Sequence, residues 1–137
     1  MLPVLKYDGV VIANNIEFAR TMAKQVLGLM FRGSIPPDYS MIFILKKPSE
    51  VNVHMLFVFF PIDVIFLNNE KKVMGLSGLK PWVGYKAMKD IKYVLEMKAG
   101  TIEKSSMSIG GQMEFDENWS ELLPAKAREL PASSYLF

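Results

Sequence analysis

The sequence predicts a mainly β (α+β) fold, in which an antiparallel β-sandwich or a partly open barrel carries a few flanking helices. Two observations lead to this class. Most apolar residues fall in short runs bounded by turn residues, and only one segment has the apolar spacing of a clear helix. The length of 137 residues suggests a single domain, residues 1–137, with room for a substantial core.

A hairpin signal predicts the first strands. Residues 4–7 and 10–13 are apolar runs on either side of Asp8-Gly9, and Asp-Gly between apolar runs is typical of a two-residue hairpin turn. A third short strand is predicted over residues 16–19. Later strands are predicted over residues 41–45, 51–55, 62–67, 73–76, 91–97 and 113–115. Pro48 is expected to end the first of these, because proline cannot donate to a sheet ladder.

The one clear helix is predicted near residues 21–31, where Thr21 can act as the N-cap. Its apolar positions recur at helical spacing and share one face; they are Met22, Val26, Leu29 and Met30. Two shorter helices are predicted, one near residues 101–107 with Thr101 as its cap and one near residues 118–123.

The side-chain inventory excludes several chemistries. The chain has no cysteine, which rules out disulfides, thiol catalysis, iron–sulfur clusters and cysteine-ligated zinc. Its single histidine, His54, rules out a multi-histidine metal site within one chain. No acidic cluster has the spacing of a known calcium loop. We therefore expect neither a metal site nor a cofactor.

The N-terminus, the apolar runs and the net charge predict the compartment and the partners. The first residues lack the basic start and apolar stretch of a secretory signal. The longest apolar run, residues 55–62, is too short to span a bilayer. We expect a cytoplasmic chain without membrane association. A net charge of +2 with few arginines argues against nucleic acid, and a monomer or weak homodimer is expected.

A series of short motifs follows in a characteristic order. They are Ala19-Arg20-Thr21, Gly28-Leu29-Met30-Phe31-Arg32, Met41-Ile42-Phe43, His54-Met55, Pro61-Ile62-Asp63, Pro81-Trp82, Val94-Leu95-Glu96 and Ala99-Gly100-Thr101. In this order, over roughly residues 10–115, the chain resembles the prokaryotic family called domain of unknown function 192, and its His-Met and Pro-Trp variant looks like the archaeal branch. The resemblance implies a mainly β, sandwich-like fold and no established activity.

The chain departs from the family pattern at two places. The family often has Lys-Asn-Thr after the methionine, where this chain has Leu56-Phe57-Val58. It often has Gly-Asp near its end, where this chain has Gly110-Gly111. A polar loop has become apolar and one acid is absent, so ligand contacts that relatives make at these positions are not expected here.

His54 and Asp63 are the first candidate site residues, since they flank the apolar run of residues 56–61. If that run folds back as a hairpin, the two side chains oppose each other across two strands. A carboxylate beside a histidine raises the pKa of the imidazole and can orient it as a general base. The alternative is a structural pair that pins the hairpin. No nucleophile is implied by the spacing, so catalytic residues stay unassigned.

Arg32 and Trp82 complete the candidate ligand-binding residues. Arg32 could hold a carboxylate or phosphate through two hydrogen bonds, or it could form a surface ion pair. Trp82 follows Pro81 and could stack on a sugar or base, or it could cover the end of the β core. The phenylalanines of residues 57–60 are expected either in the core or in an exposed patch used by a partner.

These residues support three functional hypotheses. The favoured one is a small-molecule binding module for a sugar or an anionic metabolite, with Arg32, His54, Asp63 and Trp82 around the ligand. The second is a protein-interaction or homo-oligomerisation domain that uses the patch of Phe57–Phe60. The third is a hydrolase-like enzyme that uses His54 and Asp63.

Overall fold

Two β-sheets and one short helix make up the described part of the chain. The computed structural model describes residues 3–20 and 28–119. In chain order the elements are β1 (Leu5–Tyr7), β2 (Val10–Ala13), β3 (Asn15–Ala19), β4 (Tyr39–His54), β5 (Ile62–Leu67), β6 (Val73–Leu79), β7 (Tyr85–Lys98), α1 (Thr101–Lys104) and β8 (Met113–Glu114). The smaller sheet has the order β2-β1-β8 and the larger sheet β3-β4-β7-β5-β6. The predicted mainly β class is confirmed, as two sheets rather than a closed barrel.

The pairing is antiparallel throughout, except between β3 and β4. The hairpin of β1 and β2 turns at Asp8-Gly9, and both residues take the positive φ that this turn needs, 46° and 84°. β3 pairs with β4 in parallel, from Asn15↔Tyr39 to Ala19↔Phe43. The sequence prediction missed this exception. It is possible because about twenty residues separate the two strands, enough for the chain to return and start again in the same direction.

The helix predictions have three outcomes. Of the helix expected near residues 21–31, residues 21–27 lie outside the described residues, and residues 28–31 form a turn in which Gly28 and Phe31 have φ of 43° and 66°. The helix expected near residues 101–107 is present as the shorter α1. The helix expected near residues 118–123 falls almost wholly outside the described residues.

The larger sheet is covered on both faces, which gives the protein two hydrophobic cores. Core 1 lies between the two sheets and includes Leu5 and Met113 of the smaller sheet with Ile42, Ile65 and Leu95 of the larger one. Core 2 lies on the other face; it includes Leu29, Met41, Val53, Val64 and Phe66. Burial on both faces explains why all six residues of β5 are buried and why its sequence is a continuous apolar run.

Core 2 is closed by the outer part of the long ribbon formed by β4 and β7. The β4–β7 register shifts on both sides of Ser49, and Asp90 on β7 has a φ of 59°. These irregularities bend the ribbon, as β-bulges do. Pro48 therefore interrupts the pairing without ending the strand, which corrects the prediction of two separate strands.

A glycine on the edge strand β6 accommodates the bent ribbon. The thioether of Met88 on β7 lies so close to Gly75 that a Cβ there would come within 2.2 Å of the methionine methyl group. The ring of Phe66 lies on the other side of this contact, 3.3 Å from the same position. The ribbon thus reaches across the sheet to β6, and a side chain at residue 75 would force the thioether of Met88 to move.

Asp63 on β5 holds the start of α1. Its Oδ2 accepts hydrogen bonds from the backbone N–H groups of Gly100 and Ile102, at 3.1 and 2.9 Å. The helix has no side-chain cap of its own, since Gly100 is the N-cap residue and the Thr101 hydroxyl donates back to the Lys98 carbonyl. The prediction that Thr101 caps the helix was wrong, because a carboxylate from a distant strand satisfies these donors.

An ion pair on the face of core 2 fastens the segment after residue 28 to the sheet. Arg32 donates two hydrogen bonds to the carboxylate of Glu17 on β3, at 2.8 and 3.0 Å, and a third to the Tyr39 hydroxyl at 3.3 Å. Tyr39 in turn donates to Glu17. Glu17 is 2% exposed, and these hydrogen bonds offset part of the cost of burying its carboxylate. Burial, and then the Glu17 charge, raises the pKa of Tyr39 well above its usual range, so the hydroxyl stays protonated as a donor.

We expect Asp63→Ala to lower the free energy of unfolding by about 2 kcal/mol, because two backbone donors lose a charged acceptor. The control is His54→Ala, whose side chain is exposed and should change stability by less than about 0.5 kcal/mol. Urea denaturation followed by circular dichroism measures both. Equal losses in the two variants would contradict the role given to Asp63.

We expect Arg32→Met to cost about 3 kcal/mol, since it leaves the Glu17 carboxylate buried without its guanidinium partner. Arg20→Met is the matched control; Arg20 is exposed, and its loss should cost about 0.5 kcal/mol or less. The same denaturation experiment compares the two. A loss at residue 32 no larger than at residue 20 would show that Glu17 does not need this partner.

Candidate functional site

A cleft with a volume of about 260 Å³ opens on the core 2 face of the larger sheet. Its walls come from β4, β7, the segment 28–30 and Val58. Most of the lining is apolar: Leu29, Met30, Phe43, Leu45, Val51, Val53, Val58 and Val94. The polar residues at the cleft are Glu50, Asn52, His54 and Glu96. Such a cleft, largely apolar with a few polar groups, has the composition of a small-molecule site.

Glu96 is the buried acid of this cleft. It lies on β7 directly opposite Met41 of β4, and Glu17 lies on the other side of Met41, so the two acids share one face of the sheet. Glu96 is 7% exposed. Burial raises the pKa of its carboxyl to about 7, while the nearby Arg32 guanidinium acts in the lowering direction. A carboxyl that exchanges its proton near neutral pH can donate or accept a hydrogen bond, which is typical of functional sites.

Four aromatic rings form an exposed cluster beside the cleft, which we call the aromatic surface: Phe31, Phe57, Phe59 and Trp82. Phe31 and Phe57 stack with centroids 5.0 Å apart, and Trp82 contacts Phe57 at 5.3 Å and Phe59 at 5.5 Å. Their exposed fractions are 61%, 41%, 48% and 45% in chain order. The chain connects this surface to the cleft. Met30 lines the cleft and directly precedes Phe31, and Val58 lines the cleft and lies between Phe57 and Phe59 in the sequence.

Three of these aromatic residues have a left-handed backbone. Phe31, Phe57 and Trp82 have φ of 66°, 59° and 66°. A bulky residue in this region costs about 1–3 kcal/mol. The backbone is held by hydrogen bonds from Phe31 N–H to the Phe57 carbonyl, at 2.8 Å, and from Trp82 N–H to the Met55 carbonyl, at 3.0 Å. These hydrogen bonds hold the backbone that carries the exposed rings, and strain of this kind concentrates at functional sites.

The structure does not pair His54 with Asp63. β7 lies between β4, which carries His54, and β5, which carries Asp63. On β7, His54 pairs with Tyr85 and Asp63 pairs with Met97, at opposite ends of the strand. The predicted hairpin was wrong, because β7 enters between the two strands from later in the chain. Asp63 serves α1, and the exposed His54 accepts a hydrogen bond from the Leu56 N–H at 3.3 Å.

The other predicted site residues fall into separate places. Arg32 binds Glu17 and Tyr39. Of its two predicted roles, the structure therefore shows the ion pair, although its partner is buried rather than on the surface. Trp82 lies in the aromatic surface and does not line the cleft. Of the four predicted site residues, only His54 lines the cleft. The predicted Phe57–Phe60 patch divides, because Phe60 packs on core 2 while Phe57 and Phe59 are exposed.

Sequence reasoning missed Glu17, Glu96 and Phe31 as candidate site residues. Alternation pointed away from the two acids, because each shares a face of its strand with other polar residues: Glu17 with Asn15, and Glu96 with Lys92 and Lys98. Nothing in the sequence marked Phe31 either, because a phenylalanine in a turn does not reveal that its backbone φ is left-handed. The missing acid at Gly111 has a packing reason: a Cβ there would lie 2.2 Å from the Tyr7 hydroxyl oxygen.

A wider hollow of about 750 Å³ lies between the β1–β2 hairpin and α1. Its charged groups are Asp8, Lys98 and Lys104, all on exposed residues. Within residues 3–20 and 28–119, no three His, Asp or Glu side chains are grouped so that they could hold a metal ion. In that same part of the chain, no helix is both long enough and apolar enough to cross a membrane.

Solved structures with the same fold come from two bacteria. A protein of Sinorhizobium meliloti described as a candidate transcription regulator superimposes with a TM-score of 0.74 at 21% identity, over 84% of this chain and 94% of that one. A protein of unknown function from Novosphingobium aromaticivorans superimposes with a TM-score of 0.72 at 25% identity, over 83% and 84%. At 21% identity the first likeness concerns the fold alone.

Sequence comparison identifies relatives in archaea. A UPF0127 protein of Pyrococcus furiosus is 42% identical over 118 residues, which are 85% of this chain and 97% of that protein. A UPF0127 protein of Pyrococcus abyssi is 34% identical over 113 residues, or 81% and 90%. Residues 4–115 match the family described as domain of unknown function 192, uncharacterized ACR. The chain therefore belongs to the domain of unknown function 192 family and is an archaeal-type member of it.

Proposed function

We propose that this protein is a small-molecule binding module whose ligand occupies the cleft beside Glu96, and that the ligand is a neutral hydroxylated molecule of the sugar class. The observation that carries the proposal is the Glu96 carboxyl, buried at an otherwise largely apolar cleft and with its pKa raised to about 7. A buried acid costs stability unless it is used. A hydroxylated ligand would give it hydrogen-bond partners in either protonation state.

The charge of the cleft favours a sugar over an anionic metabolite. Among the described residues that line it, the charged or titratable ones are Glu50, His54 and Glu96, and none of these described lining residues is a lysine or arginine. An anion would face two carboxyl groups there. Arg32, the expected anion holder, is already bound by Glu17. The wider hollow does carry two lysines, Lys98 and Lys104, but both are exposed, which makes it a weaker site for an anion.

The two alternative functions have less support. A hydrolase-like enzyme required His54 and Asp63 to meet, and their strands are separated by β7. An interaction domain is favoured by one observation, the exposure of Phe57 and Phe59. Those rings adjoin the cleft, so the same surface can serve a small ligand.

We expect the stability of the protein to fall as the pH rises from about 4.5 to about 7. Burial raises the Glu96 pKa from 4.5 to about 7, so across this window the folded chain keeps a proton that the unfolded chain releases. Below the window both states are protonated, and above it both are ionised, so the loss is then complete. Its size is on the order of 3 kcal/mol.

The variant Glu96→Gln cannot titrate and should lack this part of the pH dependence, whereas Glu103→Gln, which removes an exposed acid on α1, should keep it. Urea denaturation across the pH range measures the free energy of unfolding for all three proteins. Parallel curves for the wild type and Glu96→Gln would show that residue 96 has an ordinary pKa.

The binding proposal is tested by thermal shift with glucose, mannose, N-acetylglucosamine, citrate and phosphate as probes. A probe at 100 times its dissociation constant should stabilise the fold by about 2.7 kcal/mol. We expect at least one sugar to do so, with a weaker effect on Glu96→Gln and an unchanged effect on Glu103→Gln. Stabilisation by citrate or phosphate alone, or by none of the probes, would contradict the proposal.

A further inference from the structure

We propose that the aromatic surface of Phe31, Phe57, Phe59 and Trp82 is a second subsite for the ligand of the cleft, so that the protein binds a chain of sugar units rather than a single one. The inference rests on the proposed function, and it assigns to these four rings a role in holding the sugar units that extend beyond the cleft.

The first support is continuity between the two places. Met30 and Val58 line the cleft, and their chain neighbours Phe31 and Phe57 stack on each other with centroids 5.0 Å apart. The hydrogen bond from Phe31 N–H to the Phe57 carbonyl ties the two segments together at this point. A ligand that leaves the cleft between these segments meets the stacked rings next.

The second support is the construction of the surface. The rings follow one another as Phe31, Phe57, Trp82 and Phe59, each within 5.5 Å of the next. Three of them stand on a left-handed backbone that bulky side chains rarely adopt. About half of each ring nevertheless remains exposed. Burial in the core therefore does not account for the cost of placing these rings here.

The third support is the area that the surface offers. An aromatic side chain presents about 150–250 Å², so four half-exposed rings provide roughly 400 Å². A stable protein dimer buries about 800 Å² on each partner. Even with the exposed Leu56 and Val83 beside these rings in the chain, the area stays below that of a stable dimer interface, whereas it suits a few flat rings of a small ligand. A ring face stacks on the apolar face of a sugar without requiring charge on either side.

The test measures affinity against ligand length by isothermal titration calorimetry on the full chain. The probes are cello-, malto- and chito-oligosaccharides, from the monomer to the hexamer. For at least one series we expect the longer members to bind about tenfold more tightly than the monomer, the gain that one or two stacked rings supply.

Trp82→Asn and Phe57→Asn remove one ring each, and asparagine tolerates the left-handed backbone better than other residues with a side chain. Two independent ring variants guard against a folding defect in either, and circular dichroism checks the fold of both. We expect each variant to lose most of the gain in affinity with ligand length. Ile109→Asn, at an exposed apolar residue elsewhere, is the matched control and should keep the gain.

The outcomes separate the two proposals. One outcome contradicts the second subsite alone: the monomer binds and Glu96→Gln weakens its binding, but longer ligands bind no more tightly, or the ring variants keep the gain with length. The proposal for the cleft is then retained. If no saccharide of any length binds, both proposals fail together. Self-association in sedimentation, or binding to phosphatidylglycerol vesicles, that Trp82→Asn abolishes would overturn the subsite and assign the surface to that partner.

Discussion

The ion pair between Arg32 and Glu17 is the interaction on which the arrangement of the candidate site depends. It joins the segment after residue 28 to β3, and the Tyr39 hydroxyl completes the contact from β4. Leu29 and Met30, just before Arg32, form one wall of the cleft. Phe31, the neighbour of Arg32, starts the aromatic surface. One buried electrostatic contact thus positions both parts of the site at once.

The bent ribbon of β4 and β7 supplies the opposite wall. Because it curves over core 2 as far as Gly75, Val53 and Ile91 of its outer part are buried. The same bend brings Met55 to the turn of residues 80–84, where its carbonyl accepts the Trp82 N–H. The packing of core 2 and the position of Trp82 therefore both depend on the bent ribbon.

Acids inside a hydrophobic face are costly, and this protein treats its two acids differently. The Glu17 carboxylate is bound directly by a guanidinium and a hydroxyl, which offset the cost of its burial. Glu96 has no such direct partner among the contacts seen in the described residues, and burial raises its pKa instead. Glu17 therefore stabilises the fold through its contacts, whereas Glu96 can gain or lose a proton at the cleft near neutral pH. In the sequence, both acids lie on the more polar face of their strands, so alternation does not reveal their burial.

The sequence by itself determined the mainly β class, the Asp8-Gly9 hairpin, the buried strand β5 and the exclusion of cysteine chemistry. These depend on local patterns, since side-chain alternation and turn chemistry act within a few residues. Only the tertiary structure decided that β7 lies between β4 and β5, that Asp63 serves α1 and that Arg32 binds a buried acid. Such pairings join residues far apart in the chain, and alternation assigns each strand a buried face without naming its neighbours.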